Sequence, residues 1–160
     1  METNKIGPRL PLVYACSGCS SVAQMANHLA VRVDREGLAE MSCIAGIGGN
    51  VPSIVMKLQR AAREGRPVLA IDGCALSCAR QSIRQRGAEP TVHLRLDLHG
   101  VRKRHHVDFD PVQADELHAD VVRVLAEMSG SDPSTEPRIT SSSPGSGHTL
   151  TAVKVTNGGN

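Results

Sequence analysis

The residues with chemistry to offer are five cysteines, Cys16, Cys19, Cys43, Cys74 and Cys78. Cys16 and Cys19 form a C-x-x-C pair, Cys74 and Cys78 form a C-x-x-x-C pair, and Cys43 stands alone between them. Thiolates are soft ligands, and a zinc ion takes about four ligands in a tetrahedral array, with paired thiols at such spacings. Five thiols are one more than a closed site needs, and spacing alone does not name the spare one. The same thiolate set suits an iron–sulfur cluster, which is the alternative cofactor. A lone free cysteine is more often a small buried hydrophobe than a ligand. Pairs of cysteines in turns beside glycines argue against that bland reading here.

Other thiol chemistry competes with metal binding. Cys74-Ala75-Leu76-Ser77-Cys78-Ala79-Arg80 matches C-x5-R, the loop by which cysteine phosphatases and some arsenate reductases place a thiolate at a helix start and an arginine on the oxyanion. The loop has no internal glycine to let several N–H groups converge on an anion, and so short a match arises by chance. Cys16-Ser17-Gly18-Cys19 could be a redox pair at a helix start. Metal ligation accounts for Cys43 and Cys78 as well, and a redox pair alone does not. Gly46-Ile47-Gly48-Gly49 could cradle an anion, but no complete phosphate-binding fingerprint follows it. A flexible loop that carries Cys43 to the site is the expected role.

Several polar groups read as structural. Asp72 is expected to fix the turn before Cys74 by accepting backbone N–H bonds, and Gly73 to let the chain bend there. Arg102-Lys103-Arg104-His105-His106 reads as solvated charge. His93 and His99 fall on the wet side of a strand or in a turn, and His28 lies opposite an apolar helix stripe. Asp108 and Asp110 are better explained by a helix cap than by acid–base chemistry.

The elements that must position the thiols follow from periodicity. Pro11 to Cys16 reads as a first strand, followed by a thiol-rich turn that Ser20 or Ser21 could close as a cap. Val22, Met25, Ala26, Leu29, Ala30 and Val33 recur at helical spacing up to Gly37. Glu40 to Cys43 suggests a short strand running into the Gly-rich loop. Asn50 or Ser53 with Pro52 opens a helix whose stripe is Ile54, Val55, Leu58, Ala61 and Ala62. Val68 to Asp72 reads as a buried strand. A helix from Cys78 to Gly87 would expose Arg80, Arg84 and Arg86. Thr91 to Leu98 alternates, which predicts an edge strand with one wet face, and Val101 to Phe109 could return as another strand. Asp110-Pro111-Val112-Gln113 predicts a capped helix start, and Leu117, Val121, Val124, Leu125 and Met128 give its stripe.

Strands alternating with helices predict an α/β fold, a small mostly parallel sheet flanked by helices. Sites in such sheets lie outside the carboxyl ends of the strands. Cys16, Cys43 and Cys74 each follow a candidate strand, so three separate segments could aim thiols at one spot.

Composition bounds the function. One Phe, one Tyr and no Trp leave Val, Leu, Ile, Ala and Met to fill the core. A net charge of +2 gives no indication of a nucleic-acid partner, and nothing approaches the ~20 apolar residues of a membrane span. The first residues lack the apolar segment of a secretory signal, so a cytoplasmic location is expected, where thiols stay reduced and bind metals or catalyse. The expected organisation is a lead over residues 1–10, one domain over 11–128, and a Ser/Pro/Gly-rich tail over 129–160. That tail is too polar to offset its ordering entropy. The tail is therefore expected to be mostly disordered, with a short strand over Leu150, Val153 and Val155 as the lesser alternative.

Three segments carry a family resemblance. They are Ala15-Cys16-Ser17-Gly18, Met41-Ser42-Cys43-Ile44-Ala45-Gly46-Ile47, and Ile71-Asp72-Gly73-Cys74-Ala75-Leu76-Ser77-Cys78-Ala79. In this order they resemble the signatures of the DGC-domain proteins, small and mostly bacterial proteins described as zinc-binding. The resemblance spans about residues 11–128. It implies that Cys16, Cys43, Cys74 and Cys78 are the metal ligands and that Cys19 is the extra thiol. It implies a metal ion as partner and supplies no substrate.

Overall fold

A computed structural model of the chain describes residues 9–130 and 153–154. Five strands form one sheet in the order β2-β1-β3-β4-β5. β1 (Leu12–Ala15), β2 (Glu40–Met41), β3 (Val68–Asp72) and β4 (Val92–Arg95) run parallel. The two-residue β5 (Val153–Lys154) pairs antiparallel with β4. The expected α/β fold with a mostly parallel sheet is thus present.

Helices cover both faces, as parallel strands require. Val13, Ala15, Leu69, Ile71 and Leu94 point into one apolar layer under α1 (Ser21–Arg35) and α5 (Pro111–Met128). Leu12, Tyr14, Val68 and Ala70 point into the other. There they meet Ile47 of α2 (Ile44–Gly48), Val55, Leu58 and Ala61 of α3 (Pro52–Arg63), and Ile83 of α4 (Cys78–Arg84). Few large side chains are available, so the interior is built from many small aliphatic contacts, each weak and collectively decisive.

The helices begin and end for local reasons. The α1 stripe is wholly buried, and Gly37 leaves the helix at φ 70°. Pro52 and Pro111 occupy the first turns of α3 and α5, where a missing N–H costs nothing. The Asp110 carboxylate caps α5 by accepting from the Val112 N–H at 2.9 Å.

Five expectations differ from the structure. The strand over Thr91–Leu98 stops at Arg95, and Leu96–His99 winds into a 3-10 turn that ends at Gly100 with φ 79°. Leu96 is buried while Leu98 is exposed, so the alternation outlasts the strand. β4 is not an edge strand, because β5 pairs along its outer side. Val101 to Phe109 is not a strand, and its one sheet-like link is the Ser20–His105 bridge. The Gly-rich stretch after Cys43 is the helix α2 rather than a loop, and Gly46 is needed because an added Cβ would lie 2.9 Å from Ile54. Helix α3 starts from Val51 as its N-cap, with Asn50 just before it at φ 58°.

Val153 lies in the two-residue β5, which was the lesser alternative for the tail. Residues 1–8 of the lead, and of the tail residues 131–152 and 155–160 with Leu150 and Val155, lie outside the described residues. No helix among the described residues is long and apolar enough to cross a membrane.

Candidate functional site

The strand order decides where the thiols fall. β2, β1 and β3 are neighbours and run parallel. Cys43 follows β2, Cys16 follows β1, and Cys74 and Cys78 follow β3. All four therefore lie at adjacent carboxyl ends, where a site in an open sheet is expected.

Cys16 is buried, and its N–H extends the ladder to the Ile71 carbonyl at 2.9 Å. Its Sγ accepts the Gly73 N–H at 3.1 Å. Burial pushes the thiol up to about 12. The Gly73 bond opposes that shift, and the nearby Asp72, Cys78 and Cys74 add to it. The thiols of Cys74 and Cys78 are thus within electrostatic reach of Cys16. Cys43 is exposed at the N-cap of α2, where its Sγ accepts the Gly46 N–H at 3.3 Å. Cys78 is the first residue of α4 and is exposed. Cys74 is half-buried, with the Lys103 ammonium 3.9 Å from its Sγ. Cys19 is exposed in the turn before α1.

Asp72 holds this corner together. It ends β3 at 1 % exposure. Its Oδ1 accepts the Ala79 N–H at 2.8 Å and its Oδ2 the Arg80 N–H at 3.1 Å. Asp72 therefore caps α4 from a distance, in place of Ser77, which precedes Cys78 at φ 50° and makes no cap bond. His93 Nε2 lies 2.9 Å from Asp72 Oδ2, and the His93 side chain is only 8 % exposed. The turn-fixing role expected for Asp72 holds. The wet position expected for His93 does not, because its ring turns onto the buried Asp72.

Gly73 is required by close approach. A Cβ there would sit 2.6 Å from the backbone carbon and oxygen of Val22, so the first turn of α1 rests directly on the Asp72-Gly73-Cys74 corner. The expected bend is the lesser reason.

The run Arg102 to His106 is solvated, as expected, and also has a structural path. It crosses the start of α1 as a strap. Ser21 donates its N–H to the Arg104 carbonyl at 2.9 Å, and its Oγ accepts the Arg104 N–H at 3.0 Å. The strap's side chains are exposed, yet its Lys103 reaches Cys74. His28 stacks near Phe109, with ring centroids 5.0 Å apart, and His99 is held neutral-leaning by burial.

The C-x5-R loop is committed elsewhere. The Ala79 and Arg80 N–H groups go to Asp72, and the Arg80 guanidinium pairs with Glu89 at 2.7 Å. Arg80 is thus half-buried rather than free, and Arg86 donates to the Ile47 and Gly48 carbonyls at the end of α2.

Soft thiolates on three adjacent strand ends have the donor chemistry that zinc takes. As they stand, no three His, Cys, Asp or Glu side chains among the described residues are grouped to hold a metal ion. Cys43 and Cys78 are exposed, and Cys74 is half-buried against the core.

No solved structure matches the chain. A relative from Pseudomonas aeruginosa, the anaerobic and virulence modulator AnvM, is 53 % identical over 116 residues, covering 72 % of this chain and 86 % of that protein. The family model described as the DGC domain matches residues 12–121, which run from β1 into α5 and enclose all three thiol-bearing strand ends. The chain belongs to the DGC-domain family.

Proposed function

We propose that this protein binds one zinc ion through Cys16, Cys43, Cys74 and Cys78, and acts as a regulatory rather than a metabolic protein. The observation that carries the reading is the strand order, which sets three separate thiol-bearing segments side by side. Two further features support it. The Cys16 and Cys43 sulfurs already accept backbone N–H bonds, the kind of support that orients and tunes metal-bound thiolates. The competing oxyanion loop has its donors engaged by Asp72 and Glu89.

Bound zinc would supply a fixed cross-link between the three strand ends and, with four thiolates, a closed structural centre. To hold one ion, the four thiols would have to gather beside the buried Cys16. The compartment is the cytoplasm, where all five cysteines remain free. The regulatory role rests on the name of the Pseudomonas relative, an anaerobic and virulence modulator.

Cobalt titration of the reduced, metal-free protein tests the reading. A thiolate-to-cobalt absorption that saturates near one equivalent and is displaced by zinc is expected. No thiolate–cobalt band, or a band unchanged when Cys43 becomes Ser, counts against it.

A further inference from the structure

A zinc ion held by four thiolates leaves two negative charges in excess. Such a centre at a protein surface needs a nearby cation, and this fold supplies one from the strap that crosses the start of α1. Val101 is buried and anchors the strap over residues 102–106. Ser21 then clamps it across the start of α1. The hydroxyl donates to the Arg102 carbonyl at 3.3 Å and accepts the Arg104 N–H at 3.0 Å, and the backbone N–H meets the Arg104 carbonyl at 2.9 Å. The Ser20–His105 bridge continues the clamp.

Clamping on both sides of Lys103 fixes where its side chain can reach. Its Nζ lies 3.9 Å from the Cys74 Sγ. Arg95, at the end of β4, is also within electrostatic reach of Cys74 and Asp72, although its guanidinium is held by Asp97 at 2.6 Å. Lys103 is therefore the cation presented directly to a thiol, and it comes from a part of the chain that holds no cysteine.

We infer that Lys103 is a charge-compensating residue of the metal centre, and that the basic strap exists to hold it against Cys74. The inference rests on the zinc reading above. It assigns the strap a ligand of definite character, a metal–thiolate centre of net negative charge. An ammonium at this distance would offset the excess charge of the centre once the metal is bound. The contact is exposed, so its effect is modest and sensitive to salt.

The test is zinc affinity by chelator competition on the full chain, for wild type, Lys103→Met and Lys103→Arg, at low and high ionic strength. Lys103→Met is expected to weaken zinc binding roughly three- to tenfold at low salt. Near 1 M salt, where the screening length falls to about 3 Å, the difference should shrink to within about twofold. Lys103→Arg should stay close to wild type. Since the side chain is exposed, circular dichroism should show all three proteins equally folded. Wild-type affinity in Lys103→Met at low salt overturns the inference and leaves the zinc reading standing. A wild type that binds no zinc overturns both.

Discussion

Asp72 and His93 meet inside the protein, with the Nε2 of His93 2.9 Å from the Oδ2 of Asp72 and both side chains almost wholly covered. One carboxylate thus serves the helix that carries Cys78 and the strand β4 beside it. Removing it leaves two helix N–H groups and an imidazole without their partner. Asp72→Ala should lower stability by about 2–4 kcal/mol and His93→Phe by about 1–3 kcal/mol, measured by urea unfolding. The double variant should cost less than the sum of the two, because they share one interaction. Strict additivity would show that the contact contributes nothing.

Gly73 is set by a backbone neighbour that cannot move aside. A methyl group would sit 2.6 Å from the Val22 carbonyl. Gly73→Ala should cost roughly 1–3 kcal/mol through overpacking, toward the upper end of that range. The shift should appear in the thermal midpoint. An unchanged midpoint would mean that α1 can lift off the corner freely.

Tyr14 is fully buried and its hydroxyl has no hydrogen-bond partner among the described residues, Ser42 lying close without bonding geometry. An unsatisfied buried hydroxyl is a net cost. Tyr14→Phe should therefore leave stability unchanged or raise it by up to about 1 kcal/mol. A loss greater than that would point to a polar partner for the hydroxyl, such as a bound water.

The metal-free protein should lose stability in base. Burial holds the Cys16 thiol up near about 12, against an ordinary value of 9.0. Below about pH 9 the thiol is neutral in folded and unfolded chains alike. Above that, the unfolded chain sheds its proton first, so stability falls as pH rises toward 12, by at most about 1.4 kcal/mol per pH unit from this one group. Burial also raises the Tyr14 phenol and steepens the fall at the upper end. Urea unfolding of wild type and Cys16→Ala across pH 8–11 checks this. The slope should be shallower in the variant, and equal slopes would remove Cys16 as its source.

The parallel sheet was legible because β1 and β3 are short apolar runs with a cysteine one or two residues beyond their ends, and the α1 and α5 stripes keep a clean helical period. The placement of thiols at strand ends followed from the same pattern. Other features depend on contacts distant in sequence. His93 alternates with Val92 and Leu94 as if solvated, and its ring is covered where it meets Asp72. Parallel strands are generally covered on both sides, and that rule was the available signal. The basic strap carries no periodicity at all. Its path is set by Ser21, 81 residues from the Arg102 carbonyl it bonds. Glycines after Cys43 suggested a loop, whereas Gly46 is small because Ile54 packs onto α2.

The most direct measurement is metal content by elemental analysis after anaerobic purification, made on wild type, Cys19→Ser, and Cys74→Ser with Cys78→Ser together. Zinc at about one per chain is expected in wild type and in Cys19→Ser, with loss from the double variant. No metal in wild type, iron with a visible sulfide chromophore, or zinc retained without Cys74 and Cys78 would contradict a zinc centre built from the three strand ends.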